Sequence, residues 1–294
     1  VSRFLFIVPV MLLTLLVGCA SAPTTAVQPL RISAIPDQDP EKLQRLYGSL
    51  ADYLSRELGV PVEYRPVTDY AASVTAFRVG DLDLVWYGGL TGVQARLQTP
   101  GAHAIAQRDI DAEFHSVFIA APESGIRSLE DLRGRTFTFG SESSTSGRLM
   151  PQYFMQQAGL TLDDLAGEPG FSGSHDATIR LVEAGAYEAG ALNEQVWQSR
   201  VAAGDVDQER VAVFWRSPAY YDYHWVLHPD TTARYGDDFA ARVQAALLKL
   251  DAGNPEHRAI LDLFGAQRFI ATEDANYAQI EQIARQVGLI VTEP

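Results

Sequence analysis

Leu30-Arg31-Ile32-Ser33-Ala34-Ile35, Val62-Glu63-Tyr64-Arg65 and Leu82-Asp83-Leu84-Val85-Trp86-Tyr87 decide the fold of this chain. Each is a short apolar or alternating run, as a strand requires. The segments between them read as helices. Asp39 is a good N-cap, and Pro40 takes the first helical position. Leu43, Leu46, Tyr47, Leu50, Leu54 and Leu58 then recur at helical spacing until Gly59 stops the helix. Residues 70–79 suit a second helix. Strand, helix, strand, helix, strand predicts an α/β unit on a parallel sheet.

The rhythm breaks and then restarts. Residues 103–107 and 114–120 predict two strands joined by a polar turn. After Pro122, strands are expected at 135–139, 168–171, 189–192 and 211–215, with helices over 147–158 and 176–184 between them. Residues 223–227 predict a further strand. A helical tail follows, with Phe239, Val243, Leu247 and Leu250 on one face, then Tyr277, Ile280, Ile283 and Val287 on another, closed by Gly288. Two α/β units in tandem predict two lobes, each a helix-flanked, mostly parallel sheet. Lobe 1 is expected from 30–115 plus 225–294, and lobe 2 from 116–224. The strands near 114–120 and 223–227 are the expected crossovers. A cleft between lobes is the default ligand site.

Before residue 30 the chain carries export signals. Arg3 is basic, residues 4–17 are almost wholly apolar, and Gly18 precedes Cys19. The apolar run is short of the ~20 residues a comfortable span needs. Residues 1–18 therefore read as a signal peptide and 19–29 as a flexible tether. Gly18-Cys19 resembles a bacterial lipobox, in which the first mature cysteine is acylated. Acyl chains on Cys19 would hold a soluble domain at the lipid bilayer, facing the periplasm or cell exterior.

Cys19 is the sole cysteine, so no disulfide supports the domain. The formal net charge is -14, and lysine occurs only at 42 and 249. So acidic a surface argues against nucleic acid, whose phosphates it would repel. It leaves room for a small anion held by backbone amides and hydroxyls. The six histidines, at 103, 115, 175, 224, 228 and 257, lack metal-ligand spacing. No metal or other cofactor is expected.

The strongest local motif is Phe139-Gly140-Ser141-Glu142-Ser143-Ser144-Thr145-Ser146-Gly147, between a predicted strand and helix. Small hydroxyl side chains at a helix start stand beside free backbone N–H groups, and the helix dipole attracts negative charge. The same residues could also be ordinary N-caps. No Gly-x-Ser-x-Gly elbow or Ser-x-x-Lys is present, and His175 and Asp176 are too close in sequence to complete a triad readily. An enzyme is not expected. His175 opens the next helix and could face the same anion. Tyr70, and the Trp86-Tyr87-Gly88-Gly89 strand end, could line the cleft or simply pack.

Thr68-Asp69-Tyr70-Ala71, Asp83-Leu84-Val85-Trp86-Tyr87-Gly88, Ser144-Thr145-Ser146-Gly147, Gly173-Ser174-His175 and Trp215-Arg216-Ser217-Pro218 run in one order along the chain. In that order and at similar spacing they resemble the phosphonate- and phosphite-binding proteins of ABC importers. Val67-Thr68-Asp69-Tyr70-Ala71-Ala72 and Trp86-Tyr87-Gly88-Gly89 are most similar to the branch usually described as selenate-binding. The resemblance implies a type II periplasmic-binding-protein fold that closes on its ligand. It implies that Ser144, Thr145, Ser146 and His175 hold the anion's oxygens, with Tyr70 reaching across. A second ligand tyrosine of the family falls on Phe114, and a glutamate for an amino tail falls on Gln195. A further aspartate falls on Tyr223, or on Asp222 with a one-residue gap. These changes favour a short oxyanion over an aminoalkylphosphonate. ABC permease and ATPase subunits are the implied partners of a monomeric binding protein. A tethered sensor feeding a signalling receptor would need the same fold and site.

Cys19→Ser is expected to release the protein from membranes or to block signal processing. Membrane fractionation and gel mobility check this; unchanged attachment with unchanged mobility contradicts it.

Overall fold

The computed structural model describes residues 28–290. The signal over 1–18, Cys19 and nearly all of the 19–29 tether lie outside the described residues. The chain opens with β1 (Leu30–Ala34), α1 (Pro40–Leu58), β2 (Val62–Tyr64), α2 (Tyr70–Arg78), β3 (Leu84–Tyr87), α3 (Gly89–Gln98) and β4 (His103–Arg108). Asp39 caps α1 as its sequence requires, its side chain accepting from the Glu41 and Lys42 amides, and Gly59 closes the helix at φ 68°. A second group follows: β5 (Ser116–Ala120), β6 (Phe137–Phe139), α4 (Met150–Gln157), β7 (Gly170–Phe171), α5 (His175–Glu183), β8 (Ala189–Asn193), α6 (Glu194–Ala203) and β9 (Ala212–Arg216). The chain ends with β10 (His224–Leu227), α7 (Asp230–Tyr235), α8 (Phe239–Leu248), α9 (Pro255–Phe264), β11 (Phe269–Ala271) and α10 (Ala278–Gln286).

The strands form a six-stranded sheet, β11-β4-β10-β3-β1-β2, and a five-stranded sheet, β7-β6-β8-β5-β9. Each is the centre of one lobe. The sheets are mixed rather than mostly parallel. β2, β1 and β3 run parallel, as the opening βαβαβ pattern dictates, and so do β7, β6 and β8. The remaining pairings are antiparallel. The physical reason is the route of the chain. β10 returns from the second lobe and inserts between β3 and β4 from the opposite end, so it runs against both.

The crossovers also differ from expectation. β5 lies wholly in the second sheet and β10 wholly in the first. The connecting segments lie just outside these strands and meet in an isolated antiparallel bridge between Phe114 and Tyr220. Phe114 N–H donates to the Tyr220 carbonyl at 2.8 Å, and Tyr220 N–H to the Phe114 carbonyl at 3.0 Å. The bridge ties the two connecting segments to each other between the sheets.

α3, α6 and β11 were not legible from periodicity. α3 begins Gly89-Leu90-Thr91-Gly92, where paired glycines suggest a turn; burial of Gly89, Leu90, Thr91, Gly92, Val93 and Ala95 against the lobe overrides that weak propensity. α6 carries no apolar stripe and buries only Val196 and Trp197. β11 is a three-residue edge strand, too short to show alternation. The large core of the first lobe gathers Tyr47, Tyr53, Phe77, Trp225, Phe239 and Phe264 around its sheet. The second lobe is split by its sheet into two smaller clusters, one around Phe118, Phe137 and Phe139, the other around Val117, Ile119 and Leu192. No helix among the described residues is long and apolar enough to cross a membrane.

Gly92 sits where α3 passes over β10. A Cβ there would overlap the His224 ring. That ring is fully buried and stacked on Tyr277 with centroids 3.7 Å apart, so it has nowhere to retreat. Gly92→Ala is expected to destabilise the protein by about 1–3 kcal/mol despite alanine's better helix propensity. Urea unfolding checks the sign; a stabilised variant would show that α3 can shift away from His224.

Candidate functional site

The helix that follows β6 starts earlier, and with a wider turn, than its sequence suggests. Thr145–Leu149 form a single π-helical turn that runs directly into α4. Ser144 is its N-cap, and its Oγ accepts from the Gly147 amide at 3.0 Å. The wide turn is closed by the Leu149 amide donating to the Ser144 carbonyl at 3.0 Å. The Ser144 hydroxyl hydrogen remains free to donate, because the cap uses only a lone pair. Ser144, Thr145 and Ser146 are all buried, at the end of a helix whose dipole is positive there.

His175 opens α5 beside this turn. A Cβ on Gly147 would lie 3.2 Å from the His175 Cε1, so glycine at 147 is what lets the imidazole pack against the helix start. The His175 backbone amide donates across the cleft to the Asp37 carbonyl at 3.0 Å. Its Nδ1 accepts from the Asn193 amide at 3.4 Å. With Nδ1 accepting, the ring proton belongs on Nε2, which faces the Tyr223 hydroxyl at 3.2 Å. Burial pushes the imidazole pKa down to about 4, so the ring is a neutral donor at pH 7.

Tyr223 is the hub between the lobes. Its hydroxyl accepts from Asn193 Nδ2 at 3.1 Å, meets His175 Nε2, and donates to Asp37 Oδ2 at 2.8 Å. Its ring stacks on Trp86 with centroids 5.7 Å apart, and the Arg108 guanidinium lies 5.0 Å from its centre. Arg108 is itself tied to Asp111 by hydrogen bonds of 2.6 and 2.7 Å, so its charge is neutralised locally. Burial raises the Asp37 carboxyl to about pKa 6, against the opposing hydrogen bond from Tyr223.

The first lobe supplies the other wall. Tyr70, at the start of α2, is fully buried, and its hydroxyl has no hydrogen-bond partner; the Ser144 hydroxyl lies beside it. The Leu90 amide at the start of α3 donates across the cleft to Thr145 Oγ1 at 2.9 Å. Asp222 Oδ1 accepts from the Gly89 amide at 2.9 Å, while Oδ2 is buried with no partner. The Thr145 hydroxyl lies beside this carboxyl. Burial lifts Asp222 to about pKa 7. At the cleft rim, an open crevice of about 350 Å³ is bordered by Asp69, Tyr70, Ser141, Glu142, Ser143 and Phe171.

The structure therefore gathers Tyr70, Ser144, Thr145, Ser146, His175 and Tyr223 around one buried locus, with the Phe114 ring edge-on to Tyr223 at 5.5 Å. Gln195 is engaged elsewhere. Its Oε1 accepts from Arg108 Nη1 at 2.5 Å, and its Nε2 donates to the Phe264 carbonyl at 2.8 Å. Asp37, Asn193 and the Leu90 amide join the site without any sequence signal, since each is a lone polar group in an ordinary loop or strand end, whereas the Gly89 amide belongs to the Trp86-Tyr87-Gly88-Gly89 strand end that the sequence singled out. Asp222, not Tyr223, supplies the carboxyl beside Thr145. Among the described residues, no group of three His, Cys, Asp or Glu side chains is gathered as metal ligands.

Two lobes closing over helix N-termini and hydroxyl donors define the class of periplasmic substrate-binding proteins. The chain belongs to the family of periplasmic phosphonate substrate-binding proteins of ABC transporters, whose profile matches residues 32–277. It is 48% identical over 268 residues, 89% of this chain and 90% of the relative, to a probable ABC transporter phosphite binding protein, PhnD1, of Prochlorococcus marinus (strain MIT 9301). The solved structure of that PhnD1 in complex with methylphosphonate superimposes with a TM-score of 0.87, covering 89% of this chain and 98% of the other. The phosphonates-binding periplasmic protein of Escherichia coli (strain K12) is 23% identical over 266 residues, 87% of this chain and 75% of its own.

Tyr223→Phe removes the hub oxygen and leaves His175, Asn193 and Asp37 without it. A loss of about 1–3 kcal/mol of stability is expected, the usual cost of orphaned buried groups. The variant also removes the hydrogen bond that holds the Asp37 pKa down. A folded pKa of about 6 above the ordinary 3.8 means that Asp37 supports stability below about pH 4, and that this support is lost as pH rises through 6. In Tyr223→Phe the loss should extend to higher pH. Urea midpoints from pH 4 to 8 check it; an identical pH profile contradicts the assignment.

Proposed function

We propose that this protein captures a singly protonated tetrahedral phosphorus oxyanion, of the phosphite, phosphonate or phosphate type, and delivers it to a membrane permease. Ser144, Thr145, Ser146 and Tyr70 supply neutral donors, the helix start at Thr145 adds its dipole, and the Nε2–H of His175, which meets the Tyr223 hydroxyl, lies beside them. The free Tyr70 hydroxyl supports the reading, because a buried donor without a partner calls for an acceptor. No cation need face the ligand, so bare charge is not the basis of selection.

The observation that carries the reading is Asp222 Oδ2, buried and unpartnered beside Thr145. A carboxylate there repels a fully ionised dianion. It accepts a hydrogen bond from an anion that still carries a proton, as phosphite, phosphonates and phosphate do near neutral pH. Sulfate and selenate have no such proton. The selenate-binding branch suggested by sequence resemblance therefore fits this site less well than a phosphorus oxyanion. The relative named above, a probable phosphite binding protein solved with methylphosphonate, is consistent with that chemistry. Anchoring through acylated Cys19 would keep the loaded protein near its permease.

Thermal shift and titration calorimetry against phosphite, methylphosphonate, phosphate, sulfate and selenate test the reading. The phosphorus anions should raise the melting temperature, since binding to the folded state alone stabilises it. Asp222→Asn should weaken them by about one to two decades, the worth of a hydrogen bond to a charged partner, and should admit sulfate or selenate. Affinity for the phosphorus anions should also fall as pH drops below about 7, where Asp222 takes up a proton and no longer accepts from the ligand. Tight selenate binding by the wild type, or an unchanged preference in Asp222→Asn, would overturn it.

A further inference from the structure

We infer that closure of the cleft is governed by two clasps outside the anion site, Asp176 with Arg200 on Asp39, and Gln195 on the Phe264 carbonyl. Asp176, Arg200 and Gln195 are thus positioning residues for binding. The inference rests on the proposed capture of an anion in the cleft only for its affinity readout.

The first clasp joins α5 and α6 of the second lobe to the start of α1 in the first. Asp176 is buried in the first turn of α5. Arg200 grips it with both ends of its fork, Nε to Oδ1 at 2.8 Å and Nη2 to Oδ2 at 2.7 Å. Oδ2 also accepts the Asp39 backbone amide from across the cleft at 2.9 Å. The Asp39 side chain is already used in capping α1, so only its amide is offered. The arrangement suits a reversible contact. When the lobes part, Arg200 still satisfies Asp176, and the Asp39 amide turns to water. No charge is stranded in either state, and the carboxylate is held in the accepting pose throughout.

The second clasp joins the start of α6 to the end of α9. Gln195 Nε2 donates to the Phe264 carbonyl at 2.8 Å, and Oε1 accepts from Arg108 at 2.5 Å. Both partners belong to the first lobe. Phe264 O is one of the carbonyls a helix end leaves open, and Gly265, at φ 63°, closes α9 there. A Cβ on Gly265 would overlap the Gln195 amide. The first lobe thus presents a notch that fits this side chain and leaves it a carbonyl to bond.

None of the hydrogen bonds to Asp176 or Gln195 comes from Tyr70, Ser144, Thr145 or Ser146. Weakening either clasp should therefore lower the fraction of closed protein and leave the binding-site donors unchanged. Apparent affinity falls in proportion to the competent fraction, by the same factor for every ligand. A residue that touches the anion would change some ligands more than others.

The test uses the full chain with Asp176→Ala, Asp176→Asn and Gln195→Leu. Small-angle scattering without ligand should give a larger radius of gyration for Asp176→Ala and Gln195→Leu than for the wild type. Saturating methylphosphonate should restore the wild-type closed value. Calorimetry with methylphosphonate, phosphite and phosphate should show one common loss, about three- to thirtyfold, seen as faster release. Asp176→Asn should recover part of it, since an amide oxygen can still accept from the Asp39 amide. Melting temperature gives the control for folding, and Gln195→Leu stands in if Asp176→Ala does not fold. An unchanged radius with unchanged affinity overturns the inference, as does a loss that reorders the anions. If the wild type binds none of these anions, the proposed ligand is wrong, and the scattering comparison still decides whether the clasps hold the lobes.

Discussion

Closing the cleft buries Tyr70, Ser144, Thr145, His175, Tyr223, Asp37 and Asp222 together, and every one of them is polar. The constraint that governs this structure is that each buried donor or acceptor must find a partner inside. Tyr223 meets most of the demand. One hydroxyl accepts from the side-chain amide of Asn193, faces the Nε2 of His175 and satisfies the Asp37 carboxyl. The Leu90 and Gly89 amides, which a helix start would otherwise leave open, are spent on Thr145 and Asp222. Among these side chains the Tyr70 hydroxyl and Asp222 Oδ2 have no partner, one able to donate and one to accept. Under the proposed reading, that pair matches a ligand that both accepts and donates.

The electrostatics follow from the same burial. A chain of net charge -14 can hold an anion because its site works by local dipoles rather than by net charge. Desolvation keeps His175 neutral, with its pKa down at about 4, so it serves as a directed N–H rather than a diffuse positive charge. The same desolvation raises Asp37 and Asp222. Arg108 contributes through its stacking on Tyr223 and Trp86, its charge being taken up by Asp111. Under the proposed reading, selectivity comes from where protons sit, and affinity from how fully the lobes exclude water.

The lobes can exclude water only if they can also separate. The paired segments at Phe114 and Tyr220 supply the joint, with backbone hydrogen bonds between segments whose flanking strands belong to different sheets. Leu149 and Met150 of the second lobe join the first lobe's apolar cluster, and around them the lobes meet through hydrogen bonds such as Asp39 with Asp176, Leu90 with Thr145 and Gln195 with Phe264. Such hydrogen bonds exchange with water at little cost, whereas an apolar interface of the same size would hold the cleft shut.

Much of this architecture is local and so is written in the sequence. The Asp39-Pro40 start and Gly59 stop of α1, the parallel trio β2-β1-β3 and the hydroxyl-rich helix start at Ser144 follow from propensity, capping and periodicity over a few residues. The α/β class and the two-lobed plan follow from their repetition, and five ordered motifs point to the family. Tertiary structure alone decided the rest. The antiparallel insertion of β10 depends on the direction from which the chain re-enters the first sheet. α3 exists because its glycines are buried, and α6 because Val196 and Trp197 find a core. The partners of Tyr223 come from residues 37, 175 and 193, brought together only when both lobes have folded and met. Gln195 shows the limit most clearly. Its sequence position suggested the ligand, but its side chain bonds Arg108 and the Phe264 carbonyl, because hydrogen-bond partners are chosen by proximity in the folded chain and not by order along it.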